Sequence, residues 1–168
     1  MFKKLILAIA FALPFSCMAQ KFGVVDIEQI FQAMPEVADA EKQVQETGKK
    51  YEETLNQIQE ELNKLYTEYQ ALEQDTTTPK PILERKVQEI QEKAQKGEEF
   101  RNVAAQDIAK LRETLLSPIH QRLLEAVKSV GAEGNYTIIF PNMPEMLMYT
   151  GSDVENVSAQ VKAKLGVK

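Results

Sequence analysis

The chain has 168 residues, 43% of them apolar and 27% charged, no tryptophan and a formal charge of −5, the size and make-up of one soluble domain. Its acidic balance argues against a nucleic-acid partner, because phosphate binding rests on a basic surface.

Lys3 and Lys4 precede an apolar stretch, Leu5 to Phe15, that is too short to span a bilayer and ends in small residues before Ala19. This pattern predicts a secretory signal over residues 1–19, cut to leave Gln20 first. Its loss removes two lysines and no acids, so 18 basic residues remain against 25 acidic ones, a net −7. The only cysteine, Cys17, goes with it, which suits an oxidising compartment. Acylation of Cys17 is the alternative, and Pro14 argues against it by standing where the usual lipidation signal has leucine. No later segment is apolar enough to cross a membrane.

"KFGVVDIEQIF" predicts a strand, Phe22 to Val25, then Asp26 as N-cap, with Gln29 three residues on, opening a short helix that Pro35 closes or re-aims. A long helix follows. Its apolar residues Tyr51, Leu55, Ile58, Leu62, Leu65, Tyr69 and Leu72 alternate steps of four and three, the spacing of a coiled-coil seam, and Val37, Ala40 and Val44 keep the same step upstream. Three threonines with Pro79 and Pro81 end it, since proline lacks a donor and pushes its predecessor out of the helical region. A second run then repeats the spacing through Leu83, Val87, Ile90, Ala94, Gly97, Arg101, Ala104, Ile108, Leu111 and Leu115. Charged residues such as Glu60, Glu61, Lys86 and Glu92 lie outside both seams and read as solvated faces.

If the chain folds back between Thr77 and Thr78, facing residues have numbers summing to 155 or 156. Leu65 then meets Ile90, Leu62 meets Ala94, Ile58 meets Gly97 and Tyr51 meets Ala104. Large residues face small ones, which fills layers without voids. The prediction is an antiparallel helical hairpin: one arm from Glu36 to Gln74, roughly 58 Å long, the other from Ile82 to Val130, roughly 73 Å. Pro118 should kink the second arm near its root. Gly48 and Gly97 are further soft points, so Gly48, Gly97 and Pro118 are the candidate hinges.

Beyond the second arm, "GAEGNY" breaks the helix, "YTIIFPN" reads as a buried strand and "EMLMYTG" as another. Val157, Val161 and Leu165 recur at helical spacing behind Ser152, Asn156 or Ser158 as caps. The division is thus a signal at 1–19, a body from 20–35 and 131–168, and an arm over 36–130 with its tip near 75–81. So small a body, without disulfide or metal cluster, needs self-association to bury enough apolar surface.

"FGVVDIEQIF", "AVKSVGAEGNYTIIF" and "YTGSDVENVSAQV", placed in this order around a charged hairpin, resemble the Skp/OmpH family of periplasmic chaperones for outer-membrane proteins. The resemblance spans essentially the whole mature chain. It implies an α+β, mostly α, fold: a long antiparallel coiled-coil hairpin, or tentacle, on a small β body that trimerises, with three hairpins around a cavity for an unfolded client. Phe22, Val24, Val25, Ile138, Ile139 and Phe140 are the candidate residues of the trimer body. The arms depart from the strongly basic arms of known relatives by being acidic without a Lys/Arg cluster, which puts lipopolysaccharide binding in doubt.

Parts for an enzyme are missing. His120 is the only histidine, an ordinary helix side chain in its bland reading, and no phosphate loop or Ser/His/Asp set can be assembled. The expected function is an ATP-independent holdase in the periplasm, without cofactor. A coiled-coil spacer or adaptor of the cell envelope is the alternative, and the bland tip "EQDTTTPKP" disfavours it. Candidate client contacts are Tyr66, Phe100 and Val103. Phe100 has a competing reading as filler of the space left by Gly97. Met143, Met146 and Met148 form either an adaptable patch or, for two of them, the buried side of a strand.

Overall fold

The computed structural model describes residues 20–167. The predicted signal, Cys17 and the cleavage point lie outside the described residues.

Among the described residues seven elements follow one another: β1 (Lys21–Val25), α1 (Ile27–Ala33), α2 (Pro35–Gln74), α3 (Lys80–Glu133), β2 (Tyr136–Pro141), β3 (Val154–Asn156) and α4 (Ser158–Leu165). A helical hairpin stands on a small β body. Pro35 opens α2, a position where its missing N–H costs nothing, and Met34 between the two helices is extended. Pro79 and Pro81 perform the same service for α3, which therefore begins at Lys80 and runs on to Glu133. At 40 and 54 residues the two arms are about 60 and 81 Å long. At the tip the Asp75 carboxylate accepts hydrogen bonds from the Thr77 amide and hydroxyl, at 2.9 and 2.6 Å, which turns the chain without glycine.

The register expected of the hairpin is present. A Cβ on Gly97 would stand 3.3 Å from Ile58, and one on Gly48 3.9 Å from Ile108, so these pairs face each other as the sums require. Four ion pairs, Glu36–Arg122, Glu41–Arg112, Glu61–Lys93 and Glu68–Lys86, link α2 to α3 beside the seam. Two seam positions differ from expectation, as Val87 and Arg101 are exposed. Next to Val87, the Lys86 stem is the half-buried one, and its ammonium lies 3.0 Å from Glu68 and 2.8 Å from Glu89. A long aliphatic stem can cover a seam while its charge reaches water. Pro118 lies inside α3.

The core sits at the root, where the hairpin meets the body. Val25, Ile30, Met34, Val37, Leu123, Ala126, Val130, Val157 and Val161 are buried together, and Leu116, Ile119, Tyr136 and Ile139 pack against them. All strands are parallel in the order β2-β1-β3. Phe22 pairs with Ile138 and Val154, and Val24 with Phe140 and Asn156. Because side chains alternate along a strand, Val25 and Ile139 face the core, while Phe22, Val24, Ile138, Phe140 and Val154 share the other face. Gly134 ends α3 where a Cβ would lie 2.3 Å from the Tyr136 ring, so only glycine fits there.

"EMLMYTG" is not a strand. The Met146 and Leu147 amides both donate to the Met143 carbonyl, at 2.9 Å each, making a turn, and the third strand forms later, at Val154–Asn156. Met143, Met146 and Met148 are accordingly all exposed, against the reading that a strand buries alternate ones. The capping box at Asp26 is likewise unformed, since no side chain caps α1. Asn156, rather than Ser152, serves the last helix: its side-chain Oδ1 accepts from the Ser158 backbone amide at 2.9 Å.

Candidate binding surfaces

Three surfaces stand out: the arm shafts, the outer face of the sheet and the β2–β3 loop. On the shafts, α2 and α3 bury little beyond Val44, only Ile90 and Ala104. Most remaining seam residues, such as Leu55, Ile58 and Leu62, are half-buried. Tyr66 and Val103 are exposed, at 47% and 52%. Phe100 is half-buried and meets Tyr51 edge to face, 5.7 Å between ring centroids, while the Tyr51 hydroxyl donates to Asp107 at 2.9 Å. Phe100 thus has a partner in the hairpin itself, beside the Gly97 layer.

The three candidate contacts do not converge. By the hairpin register Val103 lies opposite residues 52 and 53, so Tyr66 is about 20 Å further toward the tip. Ile82 and Val87 are also exposed, as is Leu124 at the root, so the hairpin carries isolated apolar side chains on a polar surface. Seam spacing alone had assigned Val87 inward and had not marked Leu124.

Charge divides unevenly between the arms. Residues 51–75 of the first carry seven acids against Lys64 alone, whereas residues 80–101 of the second carry six bases and five acids. The arm pairs Lys86–Glu68 and Lys93–Glu61 offset part of the difference. Their carboxylates remain mostly in water while the lysine side chains are largely covered, and pairs with one partner in water contribute little to stability.

In the body, Asp26 stands at the carboxyl end of the central strand. One carboxylate oxygen accepts from the Asn142 side-chain amide at 2.5 Å, the other from the Asn156 amide and the Ser158 hydroxyl, both at 3.0 Å. The Asp26 backbone N–H donates in turn to the Ser158 hydroxyl at 2.8 Å. Asn156 and Asn142, joined by Ser158, hold the Asp26 carboxyl below its ordinary range against the opposing effect of burial. One side chain therefore ties the ends of β2 and β3 to β1.

The outer sheet face presents Ile138 and Phe140, 44% and 36% exposed, beside half-buried Phe22 and buried Val24. His120 is exposed at the root and meets Phe31 edge to face at 5.8 Å. Among the described residues no cluster of His, Cys, Asp and Glu is placed to hold a metal ion, and no helix is long and apolar enough to cross a membrane.

A long hairpin on a small β body is the architecture that the sequence resemblance implies, and comparison with known families agrees. The chain matches the family described as outer membrane protein (OmpH-like) over residues 21–165, and it belongs to that family. The family is one of chaperones rather than enzymes. No curated protein matches the chain.

Proposed function

We propose that the chain is a periplasmic holdase that binds unfolded outer-membrane proteins without nucleotide, acting as a trimer whose hairpins enclose the client. The observation that carries this reading is the distribution of burial. Among the described residues every fully buried large side chain, from Val25 to Val161, lies at the root. The shafts extend tens of Å beyond it with a polar surface dotted by Tyr66, Val87 and Val103. Such a surface holds an unfolded chain through many weak contacts rather than one deep pocket. The division into a body and an arm at residues 36–130, with bending at Gly48, Gly97 and Pro118, belongs to the same reading.

Trimerisation is supported by the apolar outer face. Ile138 and Phe140 remain exposed on a sheet face that lies outside the protomer's core, and a sheet with one apolar face is stable only against another layer. Val25 and Ile139, by contrast, serve the protomer's own core.

The test is direct. The purified protein should keep a urea-diluted β-barrel membrane protein in solution without ATP. Removal of residues 58–97, in register across both arms, should leave the oligomer intact and abolish protection. A shortened protein that protects as well as the full one would overturn the reading and favour a spacer.

A further inference from the structure

The β2–β3 loop holds three of the four methionines among the described residues, and it holds them in water. Met148 is 98% exposed, Met146 61% and Met143 42%, whereas Met34, in the core at the α1–α2 junction, is 1% exposed. Methionine ordinarily fills irregular gaps in a core. Three on one compact surface loop leave that use aside and put the thioether within reach of solvent. The loop keeps its shape without them. Its base is pinned where Asn142 and Asn156 donate to the Asp26 carboxylate, and where the Asn142 and Val157 amides donate to the Val25 and Val24 carbonyls at 2.8 Å each. Its outer part is turned by the Met146 and Leu147 amides on the Met143 carbonyl, and the Val154 amide bonds Gly151. None of these bonds uses a sulfur.

We propose that this loop is a site of reversible methionine oxidation by two-electron oxidants such as hypochlorous acid, Met148 and Met146 ahead of Met143, and that the fold is built to tolerate the product. The sulfur lone pair attacks the chlorine of hypochlorous acid and hydroxide leaves. Water then adds at sulfur, chloride departs and two protons are lost, one of them to the hydroxide. The thioether is oxidised by two electrons to the sulfoxide, and the chlorine is reduced to chloride. A dithiol reductase reverses the change, releasing the oxygen as water while its two thiols become a disulfide. No thiol competes within the described residues, because the chain's one cysteine is Cys17. The sulfoxide is polar. On Met148 it displaces no packing, whereas on Met34 it would set an unpaired polar group inside the root core. The inference stands apart from the holdase reading: it gives the body a chemical state that changes an apolar loop into a polar one without unfolding.

The test uses the purified full-length protein carrying Cys17→Ser, treated with limiting hypochlorous acid, digested and mapped by mass spectrometry. Met148 and Met146 should convert first, and Met34 on the order of a hundredfold more slowly, since it reacts only through opening of the core. In denaturing urea these residues should react alike. The oxidised protein should keep its thermal midpoint within error, as should the variant Met146→Gln with Met148→Gln, which imitates the polar product. The two methionine sulfoxide reductases with dithiothreitol, one enzyme for each epimer, should return the thioethers. Each of four results overturns the proposal. Met34 oxidised in step with Met148 denies the loop any preference. Loop methionines that react only in urea are covered in solution. A midpoint lowered by oxidation and by the glutamine pair alike shows that the methionine side chains hold the loop. Sulfoxides that resist both reductases make the change damage rather than a reversible state.

Discussion

The root of the hairpin and its outer half are made by the same two helices and held by different means. At the root, Leu123 is wholly buried among Ile30 of α1, Met34 at the α1–α2 junction, Val157 just before α4 and Val161 within it. Toward the tip each helix meets only the other, and apart from buried Ile90 and exposed Val87 the apolar seam residues stay half-buried. Free energy of burial scales with the area removed from water, so the molecule concentrates its stability at one end. Local opening is cheapest where few apolar contacts must break. The outer arms can therefore flex or part while the root stays closed, a property that suits a surface meeting chains of varied shape.

Substitutions at the two ends sharpen this contrast. Leu123→Ala should cost about 3–4 kcal/mol, transfer and cavity terms together, and lower the urea midpoint of the body and the root together. Asp26→Asn comes next, at about 2 kcal/mol for the loss of hydrogen bonds to a charged acceptor. It also has a pH signature. The folded Asp26 carboxyl is held below its ordinary value of 3.8, so its contribution is complete above that value and is lost as pH falls through the folded one. The parent's urea midpoint should therefore fall more steeply with acid than that of Asp26→Asn.

In the shafts, Gly48→Ala and Gly97→Ala should diverge. A methyl at 48 makes ordinary contact with Ile108, whereas one at 97 crowds Ile58 at 3.3 Å. The first should raise the thermal midpoint by the helix-propensity gain of about 1 kcal/mol, and the second should lose that gain to strain in a filled layer. Equal effects in calorimetry would mean that the arms are looser than their register implies. Smallest of all is Lys93→Ala, which removes the pair with Glu61 and should shift the midpoint by no more than about 1 kcal/mol allows, as ion pairs near the surface do.

The hairpin was legible because its determinants are local and periodic. Alternating steps of four and three name the seam, proline marks the turn, and the facing of Ile58 by Gly97 follows from counting. Val87 and Lys86 escaped because hydropathy ranks a valine inward without weighing the lysine stem beside it. The body was legible only in part. Strand β2 shows its β-branched and aromatic run, but β3 has three residues and no pattern of its own. The Asp26 network joins residues far apart in the chain, and spacing near Asp26 pointed instead to a helix cap. "EMLMYTG" alternates as a strand does, yet the Met143 carbonyl captures two of its amides.

The pairing of β1 with β2 has a consequence for how the molecule is made. Lys21 lies beside Tyr136, so the first strand waits through the whole hairpin for its neighbour. Closing so long a loop by diffusion alone carries an entropic cost and slows folding. The hairpin shortens the search: α2 and α3 can zip from the tip by contacts between near neighbours, and each layer that closes brings the two root ends nearer. When the zipper reaches Val37 and Leu123, the effective loop is small and the sheet can assemble. On this route the arms act as a guide for the strands they separate, and the body closes last.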